Sequence, residues 1–244
     1  MHSTSFDDQI QAQKIIITGA SSGIGFEAAI ELATKGHEVI AIARSKEKLA
    51  NLHKITLSLN PDAKLYPIVF DILHDDTEAL VQFINARWQS FNILINNAGE
   101  LINKSFKETT ELDFADMFQT NVIGHFRMIK ALVPYLEKKS HILNIGSMGG
   151  FQGSAKFPGL SAYSASKSAL HTLTECLAQE LIEDKISVNC LALGSAQTEM
   201  LEKAFPGYES PVQAYQMGKY IADFSLTGHQ FFNGKILPVA VLNL

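Results

Sequence analysis

Short apolar runs alternate with longer helical patterns along almost the whole chain, and this alternation restricts the possible folds severely. The runs are predicted as buried strands because they are short, rich in β-branched residues and bounded by turn residues. They span 14–18, 38–43, 64–71, 91–95, 141–145, 185–192 and 235–239. Helices are predicted at 23–35, 45–59, 75–89, 111–138 and 162–182, with weaker helical segments between 198 and 224.

Strands that alternate with helices of this length are joined by right-handed crossovers. The sequence therefore predicts an α/β fold, namely a Rossmann-type, doubly wound parallel sheet of about seven strands with helices on both faces. We find no composition break, so we expect a single domain over 14–244 after a polar lead at 1–13. Its cofactor half is expected at about 14–100 and its catalytic and substrate half at about 101–244.

Composition and charge exclude several classes of function. The chain of 244 residues is 46% hydrophobic and carries a net charge of −5, which argues against nucleic acid or an anionic membrane as partner. Two cysteines and scattered histidines predict neither a disulfide framework nor a metal site. The start resembles no signal peptide, and no apolar run reaches the roughly 18 residues of a membrane span. We therefore expect a cytoplasmic protein.

A glycine-rich segment, TGASSGIG, stands directly between the first predicted strand and the first predicted helix. Gly19 permits a tight turn, Gly23 lets the backbone approach a pyrophosphate, and Gly25 lets the helix pack on the strand. The amino end of the helix then offers free N–H groups to phosphates. The segment predicts a dinucleotide site formed by Gly19, Ser21, Ser22, Gly23, Ile24 and Gly25.

The end of the second predicted strand distinguishes between the two nicotinamide cofactors. Enzymes that use NAD usually place an acid there to bind the ribose hydroxyls, whereas this strand ends at Ala43 and Arg44. An arginine can pair with the 2′-phosphate of NADP through two parallel hydrogen bonds. We therefore expect NADP(H), with NAD(H) as the alternative. Arg44 could also be an ordinary solvated surface charge.

Several motifs, taken in order, resemble those of the short-chain dehydrogenase/reductase family over almost the whole chain. They are the glycine-rich turn, Asn96-Asn97-Ala98-Gly99, Asn121, Ser147 and the pair Tyr163-x-x-x-Lys167. The resemblance implies an oxidoreductase that moves a hydride between NADP(H) and a small carbonyl or alcohol substrate, and favours a carbonyl reductase. It also implies a homodimer or homotetramer.

The resemblance implies further contacts with the cofactor. In the Asn-Asn-Ala-Gly segment, Asn96 is expected to be nearest the ribose, and the segment also contributes Asn97, Ala98 and Gly99. The position of Asp71, with Ile72 beside it, implies a contact with adenine, although Asp71 could simply be a helix-entry carboxylate. Thr198 is expected at the nicotinamide carboxamide, although the preceding residues lack the family's usual Pro-Gly pair.

The catalytic residues can be argued from their chemistry as well as from the resemblance. Tyr163 and Lys167 are four residues apart, so a helix would place both on one face. A free phenol has a pKa of about 10, and a nearby ammonium should bring it closer to neutral pH. Ser147 would bind the substrate oxygen, or be a turn serine. Asn121 is expected either to hold a water that passes protons to Lys167 or to hydrogen-bond backbone groups inside its helix.

Two departures from the family pattern remain. The segment 148–161 is longer than usual and apolar, so it could line a substrate pocket or simply pack on itself. The C-terminal tail also differs from the family's usual ending. The alternative functions are an NAD-linked alcohol dehydrogenase on the same scaffold, a non-catalytic NADP(H)-binding regulator, and a scaffold protein with a filled pocket.

Overall fold

A sheet of seven parallel strands forms the centre of the protein, whose computed structural model describes residues 12–241. The strands are β1 (Lys14–Thr18), β2 (Glu38–Ala43), β3 (Lys64–Val69), β4 (Phe91–Asn96), β5 (Leu136–Ser147), β6 (Ser187–Leu193) and β7 (Ile236–Val239). Their order in the sheet is β3-β2-β1-β4-β5-β6-β7. Because β2 and β4 pair with opposite edges of β1, the winding direction changes there, and sheets of this kind bind ligands at the carboxyl ends of those strands.

Helices cover both faces of the sheet, which confirms the predicted doubly wound fold. They are α1 (Gly23–Thr34), α2 (Lys46–Leu59), α3 (Thr77–Trp88), α4 (Glu111–Phe118), α5 (Gly124–Leu132), α6 (Ser161–Glu180), α7 (Glu199–Ala204) and α8 (Ala214–Thr227). None of the helices within 12–241 is long and apolar enough to span a bilayer. The predicted polar lead lies outside the described residues except for its last two positions.

Alternation along β1 explains why the sheet is covered on both sides. Ile15 and Ile17 face the core under α1, α2 and α8, whereas Ile16 faces the core under α3, α5 and α6. All three side chains are fully buried. Burial of one such side chain contributes about 1.5–3 kcal/mol, so a strand that is apolar on both faces is stable only between two layers of helices.

The helix predicted over 111–138, for which Pro134 predicts a kink or an early end, is wrong in its continuity and ends near that proline. A π-helical turn at Gln119–Ile123 separates α4 from α5, and α5 ends at Leu132. Pro134 lies in a short 3₁₀ turn, because proline cannot donate the backbone hydrogen bond that would continue an α-helix. Strand β5 begins soon afterwards at Leu136, earlier than the predicted residue 141.

Candidate active site

The glycine-rich turn after β1 has the shape that a phosphate site requires. Gly19 and Gly23 adopt left-handed backbone conformations with φ of 68° and 59°. A Cβ on Gly19 would lie 2.7 Å from the Cα of Ala98, and one on Gly25 would collide with the amide of Asn97. No side chain caps the start of α1 at Ser22, so its first N–H groups are available to an anion. These features fit the pyrophosphate of a dinucleotide.

Thr18 and Asn97 clasp the turn from its two sides. The Thr18 hydroxyl accepts hydrogen bonds from the backbone N–H groups of Asn97 and Ala98, both at 3.1 Å. The Asn97 amide donates to the carbonyls of Thr18 and Gly19, again at 3.1 Å. The Asn97 side chain therefore supports the turn. The cofactor contacts expected of Asn97, Ala98 and Gly99 stay predictions, and the sequence analysis missed the role of Thr18.

Asn96 occupies a different place from the one expected. It is fully buried, and its amide donates to the Asn144 side chain at 3.0 Å, on the neighbouring strand. Asn144 in turn donates to the Thr174 hydroxyl at 2.9 Å. The expectation that Asn96 contacts the ribose is therefore wrong, because its side chain is buried under α6 as part of a polar chain from β4 to that helix.

Helix α6 and the end of β5 bring three of the predicted catalytic residues together. The Lys167 Nζ lies 5.9 Å from the centre of the Tyr163 ring and donates to the Ile145 carbonyl at 2.9 Å. Ser147, the last residue of β5, lies beside Tyr163, because a Cβ on Gly149 would be 3.4 Å from the Ser147 Oγ and 3.7 Å from the Tyr163 ring. Its hydroxyl also accepts from the Gly149 backbone N–H at 3.1 Å, which orients it. This arrangement can hold a substrate oxygen and exchange a proton with it.

Burial dominates the electrostatics of this group. Burial raises the pKa of Tyr163, and the Ser147 hydrogen bond opposes the rise without cancelling it. The expected net lowering by Lys167 is therefore wrong for the protein alone. Lys167 is 4% exposed, and burial lowers its pKa to about 8. An ammonium that loses its proton near neutral pH is suited to proton transfer.

Asn121 lies in the π-helical turn, next to Lys167. A Cβ on Gly99 would be 3.2 Å from the Asn121 Oδ1 and 3.6 Å from the Lys167 Nζ, so both atoms approach the same point. The Asn121 Oδ1 accepts from the backbone N–H of Glu100 at 2.9 Å. Its Nδ2 donates to the Glu100 carbonyl and to the Ser166 hydroxyl, each at 3.0 Å. The Asn121 side chain thus hydrogen-bonds the backbone, as one of the two expectations for it stated. Its other expected role, to hold a water, stays a prediction.

A cavity of about 380 Å³ adjoins the glycine-rich turn, and we call the residues that line it the phosphate rim. Its lining includes Ser21, Ser22, Gly23, Lys48 and Glu199. The Lys48 ammonium pairs with the Glu199 carboxylate at 2.6 Å, which links α2 to α7. Both side chains are substantially exposed, so this ion pair is weak.

The end of β2 and the start of α7 carry two further predicted cofactor residues, Arg44 and Thr198, whose contacts with the cofactor stay predictions. Arg44 follows β2, is exposed, and has no ion-pair partner within residues 12–241. Thr198 caps α7 by accepting from the Leu201 backbone N–H at 3.2 Å. Its methyl group would be 3.1 Å from a Cβ on Gly23, so it packs directly on the turn.

Asp71 and Ile72 follow β3. The Asp71 carboxylate accepts from the Leu73 backbone N–H at 2.8 Å, which fits the simpler role of a turn-forming group. Ile72 is buried, and its side chain packs where a side chain on Gly124 would otherwise lie. The contact of these two residues with adenine stays a prediction.

The long segment 148–161 borders the catalytic group and is only partly packed. Leu160 is buried, whereas Phe157 is 62% exposed. The backbone N–H of Lys104 donates to the Gly159 carbonyl at 2.9 Å, and the Asn103 amide donates to the Ala204 carbonyl of α7 at 2.7 Å. The loop after β4 therefore connects this segment with α7.

Known proteins are similar to this chain over most of its length. The sequence profile of the short chain dehydrogenase family matches residues 13–209. A fatty acyl-CoA reductase of Acinetobacter baylyi is 32% identical over 200 residues, which cover 80% of this chain and 66% of that protein. An NADPH-dependent pterin aldehyde reductase of Arabidopsis thaliana is 33% identical over 210 residues, which cover 84% of each chain.

Solved structures agree with the sequence matches. A dehydrogenase/reductase from Sinorhizobium meliloti superposes with a TM-score of 0.81 at 27% identity, over 93% of both chains. Because the superposition covers 93% of this chain, it extends beyond the residues that the sequence profile matches. The chain belongs to the short-chain dehydrogenase/reductase family and is an oxidoreductase that acts on alcohol or carbonyl groups.

Proposed function

We propose that this protein is an NADP(H)-dependent carbonyl reductase in which Tyr163 gives a proton to the substrate oxygen. The observation that carries the proposal is the contact of Tyr163 with Ser147, at the carboxyl end of β5 and one helical turn from the buried Lys167. In parallel sheets of this topology, that edge is where substrates are bound. The reverse reaction, alcohol oxidation, would use the same residues.

Each residue has a separate part in this chemistry. A nicotinamide cofactor, when bound, supplies the hydride. Ser147 orients the substrate oxygen and shares the negative charge that develops on it, and Tyr163 transfers the proton from its hydroxyl. Lys167 holds a positive charge beside the phenol, which favours the phenolate that remains after proton transfer. Asn121 keeps the neighbouring loop in place and is proposed to hold a water near Lys167.

The surroundings of the glycine-rich turn support NADP(H) as the cofactor. Arg44 is exposed at the end of β2 and free to pair with a 2′-phosphate. Glu38 lies at the opposite end of the strand, where its carboxylate accepts from the Trp88 indole at 3.0 Å and meets Lys64 at 3.3 Å. The NAD-linked alternative thus lacks an acid at the tip of β2. One relative is named as NADPH-dependent, which agrees with this choice.

The proposed enzyme is cytoplasmic and forms a homodimer or homotetramer. Three apolar side chains on or beside α4 and α5 are about 40% exposed, namely Phe114, Ile123 and Phe126. Large apolar groups that cluster at a surface are typical of contacts between subunits. Their position supports an assembly through these helices, as the family resemblance implied.

The test is a panel of aldehydes and ketones, with NADPH consumption followed by absorbance. We expect reduction of at least one class of carbonyl compound. In Tyr163→Phe, turnover should fall by about 10²–10⁴-fold, the usual worth of general acid catalysis, while the NADPH dissociation constant changes little. Tyr135→Phe, a change in the 3₁₀ turn before β5, serves as the control. Near-normal turnover in Tyr163→Phe would refute the proposal.

A further inference from the structure

A side chain of α5 holds the turn that follows β3, residues 71–75, which we call the β3 turn. One terminal nitrogen of the Arg127 guanidinium donates to the carbonyls of Ile72 and Leu73, and the bond to Ile72 is 2.8 Å long. The other terminal nitrogen donates to the Asp75 carbonyl at 3.0 Å. Three carbonyls of one short turn therefore converge on a single cation.

Arg127 is committed to this turn. It is half-buried, and no carboxylate within residues 12–241 forms an ion pair with it. A guanidinium presents its donors in a rigid planar fork, so it fixes the turn relative to α5 more firmly than a single donor could. Gly124, three residues earlier on the same helix, adds a close contact, since a Cβ there would lie 2.6 Å from the Ile72 Cδ1.

The β3 turn and the glycine-rich turn flank the end of β2. On one side, the backbone N–H of Ala20 donates to the Ile42 carbonyl at 3.1 Å. On the other side, Val69 pairs with Ala43, and the backbone N–H of Phe70 donates to the Ala43 carbonyl at 2.9 Å. The two turns therefore stand at the same edge of the sheet, with the tip of β2 between them.

The order of the strands indicates which half of a dinucleotide the β3 turn would meet. Strand β5 lies two strands from β1 on one side, and β3 lies two strands from β1 on the other. A cofactor with its pyrophosphate at the glycine-rich turn and its nicotinamide beside Ser147, at the end of β5, must extend its adenosine over β2 toward β3. Neighbouring strands are about 4.8 Å apart, so β3 is about 10 Å from β1 and within reach of that adenosine.

Two neighbouring polar groups of the β3 turn are available to a ligand. The Asp71 Oδ1 accepts from the Leu73 backbone N–H at 2.8 Å. The Asp71 Oδ2 and the backbone N–H of Ile72 have no hydrogen-bond partner in the described part of the chain. Adenine presents an amino donor beside a ring-nitrogen acceptor, so an acceptor and a donor on adjacent residues are complementary to it.

We propose that Arg127 is a positioning residue for the adenine end of the cofactor, because it fixes the backbone that carries the Asp71 carboxylate and the Ile72 N–H. The inference rests on the proposed function, in which the site binds a nicotinamide dinucleotide. Without the guanidinium, the turn keeps its internal hydrogen bonds among Asp71, Leu73 and Asp75 but loses its polar attachment to α5. The base would then have to order the turn as it binds, which costs affinity.

The first test measures binding of 5′-ADP, a part that NAD and NADP share, by calorimetry. In Arg127→Met, which removes every donor at similar side-chain length, the dissociation constant of ADP should rise about tenfold. In Arg127→Lys, which keeps the charge but not the fork, it should rise about threefold. Nicotinamide mononucleotide should bind all variants alike. Lys130→Met, which removes an exposed cation from the same helix, is the matched control.

The second test separates positioning from a merely structural role. It compares NADPH with its hypoxanthine analogue, in which a carbonyl oxygen replaces the amino group of adenine. The wild-type protein should bind NADPH about tenfold more tightly than the analogue, and this preference should shrink in Arg127→Met because the turn no longer holds its two groups in place. A lower melting temperature with an unchanged preference would overturn the proposal, since Arg127 would then support the fold alone.

The third test uses the wild-type protein, so it does not depend on whether the variants fold. The amide NMR signal of Ile72 should shift when ADP is added and stay in place when nicotinamide mononucleotide is added. An Ile72 signal that ignores ADP would refute the inference. If the Arg127 variants lose ADP affinity but no carbonyl compound is reduced, the proposed function fails while the role of Arg127 stands. Carbonyl reduction together with normal ADP binding in both variants would show the reverse.

Discussion

The catalytic face of α6, which carries Tyr163, Lys167 and His171, and the phosphate rim lie at the same edge of the sheet but are built differently. On the catalytic face, Lys167 and His171 are more than nine-tenths buried, and Ser147 and Ile145 contact the side chains of Tyr163 and Lys167. At the phosphate rim, Lys48 and Glu199 are largely exposed and pair with each other. The proton-transfer group is therefore organised before any ligand binds, whereas the rim has charges that a ligand can rearrange.

This difference separates two properties of the enzyme. Buried hydrogen bonds act in a medium of low dielectric constant, so the turnover rate should depend strongly on single side-chain atoms. Exposed ion pairs are worth about 0–1 kcal/mol and are screened by salt. We expect substitutions on the catalytic face to change turnover by orders of magnitude, and substitutions at the rim to change cofactor affinity by smaller factors.

The strongest challenge to this comparison is Ser147→Ala. It removes the hydroxyl that contacts Tyr163 and is proposed to contact the substrate, so turnover should fall by about 10²–10³-fold. The NADPH dissociation constant should change little, as fluorescence titration would show. Ser154→Ala, in the neighbouring loop, is the control. A loss of turnover below tenfold would mean that Ser147 and Tyr163 are less firmly positioned than described.

Arg44→Asp tests the cofactor side with an intermediate effect. Loss of a charge-assisted pair with the 2′-phosphate, together with a new repulsion, should weaken NADPH binding by about 10–100-fold. NADH binding should weaken far less, because NADH lacks that phosphate. Lys54→Asp makes the same charge change on an exposed part of α2 and controls for general electrostatics. Equal losses for both cofactors would reject the assignment of Arg44.

Glu199→Gln should give the smallest effect. It removes a carboxylate from the phosphate rim and frees Lys48 for a phosphate, so NADPH affinity should rise by about two- to fivefold at low salt. The gain should shrink in high salt, which calorimetry at two ionic strengths would measure. Glu202→Gln, on the same helix, is the matched control. A decrease in affinity would show that the Lys48–Glu199 pair supports the bound cofactor.

Features that depend on local sequence could be predicted, and those that depend on distant contacts could not. Periodicity and turn residues located every strand, and the helix predicted to begin at residue 45 is capped there, since the Ser45 hydroxyl accepts from the Lys48 N–H. The π-helical turn was missed because hydrogen bonds from Asn121 to Glu100 and Ser166 hold it in place, and no spacing rule reveals them.

The candidate site shows the same division. The spacing of Tyr163 and Lys167 predicted their shared face, but the balance between burial and charge that sets the pKa of Tyr163 required the packed structure. Asn96 was misplaced because the sequence does not show that the side chain of the last residue of β4 is buried under α6.

The clasp between Thr18 and Asn97 also has a consequence for how the protein is made. The Asn97 amide completes a turn whose carbonyls lie 79 and 78 residues earlier in the chain. Contacts this far apart in sequence form slowly, because a long loop must close first. A nascent chain on the ribosome thus cannot hold its nucleotide until β4 has emerged and paired with β1. A bound cofactor can therefore protect the protein against proteolysis only after β4 has emerged.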